Sequence, residues 1–397
     1  MTSSSLRRIT TAQRRARLSH RHHLCADAKA AGVGVVARSL IGLHATDPAS
    51  VYLSTWARVD GVTYSDIDAA LYDERTVVKH LAMRRTLWAV ATDLLPVVQS
   101  AASDAVAAVQ RRSLARDVVR AGLTNDGERW VAQAEAATVD ALAELGPAPG
   151  RTLTAHVPLL QAKIRTGPSG KLEYGVISRI TTVLSASGQI TRGRARGAWH
   201  DRQLQWVLMR DWCPEGLAHS RLPAEEARAV LARLWLRAFG PTTGDDLRWW
   251  TGWTVKETKA ALLTVGAVEV RLDGDQVGVL LPDDLETTPR AEPWVALLPS
   301  LDPTTMGWKD RGWYLGPHRE LLFDTYGNAG PSVWSDGRVV GGWGQRPDGR
   351  VVVRLLEDVG AAKATEIQTE AARLTEWLGG VVVRPSFPTP LQRELSG

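Results

Sequence analysis

The stretch TGDDLRWWTGWTVKETKAALLTVGAVEVRLDGDQVGVLL, residues 243–281, decides the reading of this chain. Thr243 suits the cap of a helix over Asp245–Gly252. Thr254 and Glu257 have the spacing of a capping box that starts a second helix, Val255–Val265. Val268–Leu272 and Val277–Leu281 alternate around Asp273-Gly274-Asp275, a strong signal for a tight hairpin. Upstream, Ala224–Phe239 predicts a helix with Val230, Leu231, Leu234 and Phe239 facing inward, ended by Gly240-Pro241. Three helices followed by a hairpin over Pro223–Asp284 is the order of a winged helix, a variant of the helix-turn-helix.

The same order is readable twice more. Residues 10–93 offer a basic helix Thr10–Leu24, helices Val33–Leu43 and Pro48–Val59, a further helix Ser65–Asp73, and strands Thr76–His80 and Thr86–Val90 around Met83-Arg84-Arg85. Residues 126–212 offer helices Gly127–Leu145, Leu153–Ile164 and Tyr174–Ser187, then strands Gln189–Arg192 and Trp199–Val207. From Trp294 to Phe387 the text becomes strand-like: Trp294–Leu298, Trp313–Leu315, Ser332–Trp334, Arg338–Val340, Arg350–Arg354 and Val381–Arg384, interrupted by a helix Ala361–Leu378. A small antiparallel barrel or curled sheet fits that text. The expected fold is therefore α+β: three tandem winged helices (residues 1–120, 121–220 and 221–290) with a C-terminal barrel-like domain (291–397).

Composition narrows the function classes. With 397 residues the chain exceeds one core. Its 44% hydrophobic and 23% charged residues fit an ordinary globular protein, and no apolar run suffices to span a bilayer. No signal peptide is evident in Met1–Arg8, and Cys25 and Cys213 are far apart, so a cytoplasmic protein without disulfides is expected. No metal-ligand pattern stands out, and no cofactor or metal is expected. His20, His22 and His23 alternate with arginines and read as solvated charge. The 16 tryptophans read mostly as core or inter-domain packing, with stacking on bases the alternative, and the minority one, for Trp308 beside Lys309 and Trp313 beside Arg311.

Charge is uneven. Residues 1–120 hold 17 Lys and Arg against 10 Asp and Glu. Six arginines (Arg7, Arg8, Arg14, Arg15, Arg17, Arg21) precede Cys25 with no acid among them. A second block is Arg192, Arg194, Arg196, Arg202 and Arg210, opposed by Asp201 alone. Arginine suits bidentate phosphate contact, so a polyanion such as nucleic acid is the natural partner, set against a merely solvated basic surface. The Arg-Gly-Arg-Ala-Arg-Gly tip between the strands of the second block can approach a phosphate backbone closely.

Gly42-Leu43-His44-Ala45-Thr46-Asp47-Pro48 places an imidazole, a hydroxyl and a carboxylate within four positions at a helix start. Asp47 suits the N-cap and Pro48 the first helical position. Such a corner holds a water or an anion; the plainer reading is a capped helix behind a buried histidine.

Across its length the chain resembles the winged-helix DNA glycosylases of the AlkZ/YcaQ type. The matching blocks are Leu40-Ile-Gly-Leu-His-Ala-Thr-Asp-Pro48 with the following Tyr-Leu-x-x-Trp-Ala-Arg58, Met83-Arg-Arg-Thr-Leu87, Arg192-Gly-Arg-Ala-Arg-Gly-Ala-Trp199, Leu298-Pro-Ser-Leu-Asp-Pro-Thr-Thr-Met-Gly-Trp308, Phe323-Asp324, Gly327-Asn-Ala-Gly-Pro331 and Asp336-Gly-Arg-Val-Val-Gly-Gly-Trp343. The resemblance implies hydrolytic removal of alkylated purines from double-stranded DNA, including bulky adducts and interstrand crosslinks, in repair or in self-resistance of genotoxin producers. It places the catalytic pair at His44 and Thr46, to which Asp47 adds a carboxylate that can orient the imidazole or supply negative charge; DNA contacts are expected at Arg84, Arg85, Arg192, Arg194, Arg196, Lys309 and Asn328. The family pattern at the first two catalytic positions is Gln-x-Gln or Gln-x-Asp, so His44 and Thr46 depart from it. A monomer acting on DNA, with no membrane partner, is expected. The alternative is a non-catalytic winged-helix DNA-binding protein, a regulator or a lesion binder.

Overall fold

The computed structural model describes residues 6–166, 172–201, 203–213 and 222–397. The chain divides into two compact units, one of Met1–Ile67 with Ala229–Gly397 and one of Asp68–Arg228. Helices and antiparallel strands are mixed in both, as the α+β reading expects.

In the first unit the deciding stretch folds largely as read. Helices Gly244–Thr251 and Val255–Thr264 each begin with a capping box, Thr243 with Asp246 and Thr254 with Glu257. The hairpin pairs Val268–Leu272 with Val277–Leu280 around Gly274, whose φ of +74° suits glycine. Its other edge carries an addition that the sequence did not signal: Arg8–Ile9 pairs in parallel with Arg271–Leu272. Ile9 thereby joins Val270, Leu272 and Leu280 in a small core.

The C-terminal sheet has four antiparallel strands in sequence order, Val295–Leu298, Ser332–Ser335, Arg338–Gln345 and Val351–Leu355. Its two outer strands do not pair with each other, so no closed barrel occurs among the described residues. Trp313–Leu315 lies in a helical turn, Gly312–Leu315, and Val381–Arg384 is not a strand. Helix Pro390–Ser396 lies on the long central strand. A Cβ at Gly342 would sit 2.7 Å from Leu391 Cδ2, and one at Gly344 would sit 2.8 Å from Leu395 Cβ. The glycines thus admit the helix to the strand surface.

The basic helix Thr11–Arg21 does not present a polyanion-binding face. Arg14 lies 4.0 Å over the Trp313 ring, and Arg17 and Arg21 both bind Asp284. His22, expected in solvent, is fully buried: Nδ1 lies 2.7 Å from Thr304 Oγ1, Nε2 lies 3.1 Å from the Ala238 carbonyl, and the ring stacks on Trp308. Burial, reinforced by Arg58, holds it well below the ordinary histidine range. Trp308 is likewise core, donating to the Phe239 carbonyl.

In the second unit, Val77–Ala82 and Thr86–Ala91 form a hairpin. Helix Gly127–Leu145 begins at the Asp126 cap and ends at Gly146. A Cβ at Gly127 would lie 2.1 Å from the Ala115 carbonyl oxygen, so only glycine permits this approach to helix Asp104–Arg120. Helix Ile177–Ala186 and the hairpin Ile190–Arg192 with Trp206–Leu208 complete the core. The expected helix Leu153–Ile164 is replaced by helix Gly150–His156 and a strand, Lys163–Thr166, paired with Leu172–Gly175. Val157 is extended ahead of Pro158, as the residue before proline prefers. No described helix is long and apolar enough to cross a membrane.

Candidate active site

The histidine motif follows a distorted corner. Helix Val33–Ser39 ends ahead of Ile41, whose φ is +65°, and Gly42, at +157°. A β-branched residue in the left-handed region is a genuine outlier, and such strain concentrates at functional sites. The corner delivers the chain into the two-residue strand Leu43–His44. His44 is 2% exposed, Thr46 is exposed, and Asp47 is buried.

Asp47 is the N-cap of helix Pro48–Trp56, with Pro48 at its start. One carboxylate oxygen accepts the Ala49 amide at 3.3 Å and the other accepts the Ser386 amide at 2.8 Å. The carboxylate is therefore a structural clamp as well as a candidate catalytic group. Next to it is a cavity of about 20 Å³, the size of one water, lined by Asp47, Ser50, Ser300, Gln345 and Gln392 among others.

The motif helix is buried on every face, so its position is set by internal bonds. Ser50 donates to the Ser300 carbonyl and Ser54 to Asp302. Just beyond the helix, Arg58 and Asp302 form a fully buried bidentate pair at 2.8 and 2.7 Å. The remaining guanidinium hydrogens go to the His22 and Ser54 carbonyls and the Thr304 hydroxyl, so all five donors are used. Sequence spacing could not reveal this network, because its halves are 244 positions apart.

The residues read as DNA contacts have different situations. Arg84 and Arg85 are the tip of the Val77–Ala91 hairpin, both with positive φ; Arg84 is half-buried and Arg85 exposed. Arg192 lies 5.4 Å over the Trp206 ring, and burial lowers it to about 10, still a cation at neutral pH. It has no ion-pair partner among the described residues. Arg194 is already engaged, binding Asp68 at 2.9 Å and Asp73 at 2.8 Å. Arg196 is exposed on the same tip, and Arg202 lies outside the described residues. Lys309 is exposed, while its amide and that of Asp310 bind Asp246. Asn328 is half-buried and spends its side-chain amide on Asp324.

The structure also gathers His20, Cys25 and Asp27, whose ligating atoms lie within 4.8 Å of one another. Burial and the Asp27 carboxylate raise the Cys25 thiol to about 11, so it is protonated at neutral pH.

The family profile described as DNA glycosylase AlkZ-like matches residues 37–377. No curated protein sequence matches. Among solved structures the fold is similar to Streptomyces sahachiroi DNA glycosylase AlkZ, with a TM-score of 0.73 and 19% identity over 95% of this chain and 98% of that chain.

Proposed function

This chain belongs to the AlkZ-like DNA glycosylase family, and from that premise we propose that it hydrolyses the N-glycosidic bond of purines alkylated at N7 or N3 in double-stranded DNA, bulky adducts and interstrand crosslinks included. It acts in DNA repair or self-resistance, as a monomeric, monofunctional hydrolase without metal or cofactor. The observation that carries the reading is the position of His44: buried in the short strand that follows the strained Ile41–Gly42 corner, two positions before the exposed Thr46 and three before Asp47, which caps the next helix.

Cleavage passes through an oxocarbenium-like state at C1′. A purine alkylated at N7 or N3 leaves as a neutral base and needs no general acid. The enzyme's task is to place a water at C1′ and stabilise the sugar cation. Neutral His44 takes the proton of that water, Thr46 holds the water by a hydrogen bond, and Asp47 supplies negative charge while capping the helix. A protonated His44 would repel the cation.

Each helices-then-hairpin segment serves as a winged helix, in residues 1–120, 121–220 and 221–290, followed by the sheet-containing segment of residues 291–397. Arg84, Arg85, Arg192, Arg196 and Lys309 contact phosphates; Arg194 joins them by exchanging Asp68 and Asp73 for DNA, and Asn328 acts from its braced loop.

The test is base release from a duplex carrying one N7-methylguanine, with EDTA and with borohydride as separate arms. Release that persists in EDTA without a trapped protein–DNA adduct is expected. A trapped adduct or loss of activity in EDTA contradicts the mechanism. The second reading, a lesion binder, rests on His44 and Thr46 standing where the family carries Gln-x-Gln or Gln-x-Asp: an inert natural protein whose His44→Gln variant cleaves would favour it.

A further inference from the structure

Beside the histidine motif lies a cavity of about 620 Å³ walled by Arg319, Phe323, Tyr326, Phe387 and Arg393. Ser386, whose amide binds Asp47, is also part of its wall. One residue therefore connects the carboxylate of the motif to this cavity. Tyr326 is 90% exposed.

The loop that carries Tyr326 is rigidly built. The Asp324 carboxylate accepts the Tyr326 amide at 2.9 Å, the Asn328 amide at 2.8 Å and the Asn328 side chain at 2.8 Å. Gly327, at a φ of +85°, donates to the Asp324 carbonyl and closes the turn. Ala329 accepts the Leu301 amide, so the loop is fastened to the segment that also anchors the motif helix through Ser300 and Asp302. The backbone is braced and the ring is left in solvent. A side chain presented this way loses little freedom when something stacks on it.

The chemistry of the walls is selective. Aromatic faces take a flat π-system, and a cationic one better than a neutral one, because the ring quadrupole is negative over the face. Arg319 and Arg393, both exposed, supply positive charge for phosphates on either side of such a base.

We propose that this cavity is the lesion-recognition site, with Tyr326 stacking on the cationic alkylated purine while Arg319 and Arg393 hold the flanking phosphates. This rests on the glycosylase reading above and adds to it a residue that discriminates damaged from normal bases. Tyr326 is a recognition residue; the bond-breaking groups remain those of the motif.

The experiment measures affinity of the full chain for two duplexes. One carries N7-methylguanine on a 2′-fluorinated sugar, which resists cleavage; the other carries guanine on the same sugar. The natural protein should prefer the damaged duplex. Tyr326→Ala should reduce that preference about tenfold or more, with affinity for the undamaged duplex unchanged, and Tyr326→Phe should retain it. An undiminished preference in Tyr326→Ala overturns the proposal, as does equal loss of affinity for both duplexes. If the natural protein shows no preference but cleaves a normal-sugar N7-methylguanine duplex, this site is wrong and the glycosylase reading stands. If it neither prefers nor cleaves, both fall.

Discussion

Asp47 and Ser386, 339 positions apart, are joined by a 2.8 Å hydrogen bond from the Ser386 amide to the carboxylate that also caps the motif helix. The start of this helix is thereby tied to the chain's C-terminal segment. Replacing Asp47 by alanine removes both bonds and should cost about 1–3 kcal/mol of stability, read by chemical denaturation. Asp47→Asn keeps one acceptor, enough for the cap, but turns the other into a donor that cannot accept the Ser386 amide, so it should cost less than Asp47→Ala but not nothing. If Asp47→Asn loses base release by more than its stability loss explains, the carboxylate charge takes part in the reaction; if base release is preserved, Asp47 acts as the clamp alone.

The buried Arg58–Asp302 pair sets the position of the same helix. Arg58→Met leaves the Asp302 carboxylate buried without its guanidinium, a loss of about 3–5 kcal/mol. Denaturant midpoints before and after the substitution check it. A change under about 1 kcal/mol would mean that the pair does not anchor the helix.

Acid should destabilise the fold through its buried histidines. Burial lowers His80, whose Nε2 lies 3.0 Å from Ser103 Oγ, from 6.5 to about 4. Above the unfolded value both states are neutral and the contribution is complete. As pH falls from about 6.5 toward 4, the unfolded chain binds a proton that the folded hairpin refuses, and up to about 3 kcal/mol is lost. His22 shifts in the same direction and adds to the slope. Urea midpoints across this range should fall with pH; a flat profile would contradict neutral burial of these rings.

How far the sequence reaches depends on where each constraint lies. The hairpin around Asp273-Gly274-Asp275 and the helix Gly127–Leu145 are legible, because alternation, a cap and a terminating glycine are all local. The helix Val33–Leu43 stops early at the Ile41–Gly42 corner, a backbone distortion that an apolar text does not announce. The arginines of Thr11–Arg21 read as a polyanion surface because what they engage lies far along the chain: Asp284 for Arg17 and Arg21, more than 260 positions away, and Trp313 for Arg14 and Arg15. The motif and its cap are legible at the site, whereas the Ser386 clamp and the Tyr326 loop exist only in three dimensions.

Binding to DNA should weaken steeply with salt if phosphates dominate. Arg192→Ala with Arg196→Ala should lower both the affinity and the salt slope, by roughly one unit for each phosphate no longer neutralised, measured between ~50 and 200 mM. Arg194→Ala should do less, because Arg194 already has Asp68 and Asp73. Arg17→Ala should reduce stability and leave the salt slope alone. An unchanged slope in the double variant would remove the second arginine block from the interface.

The proposed mechanism stands or falls on His44 as the group that activates the attacking water. The direct measurement is single-turnover base release from N7-methylguanine duplex by the natural protein and by His44→Ala, with duplex affinity measured alongside. A rate loss of roughly 10²-fold or more in His44→Ala, with affinity unchanged, is expected. A cleaving natural protein whose His44→Ala variant releases base at the same rate would contradict it.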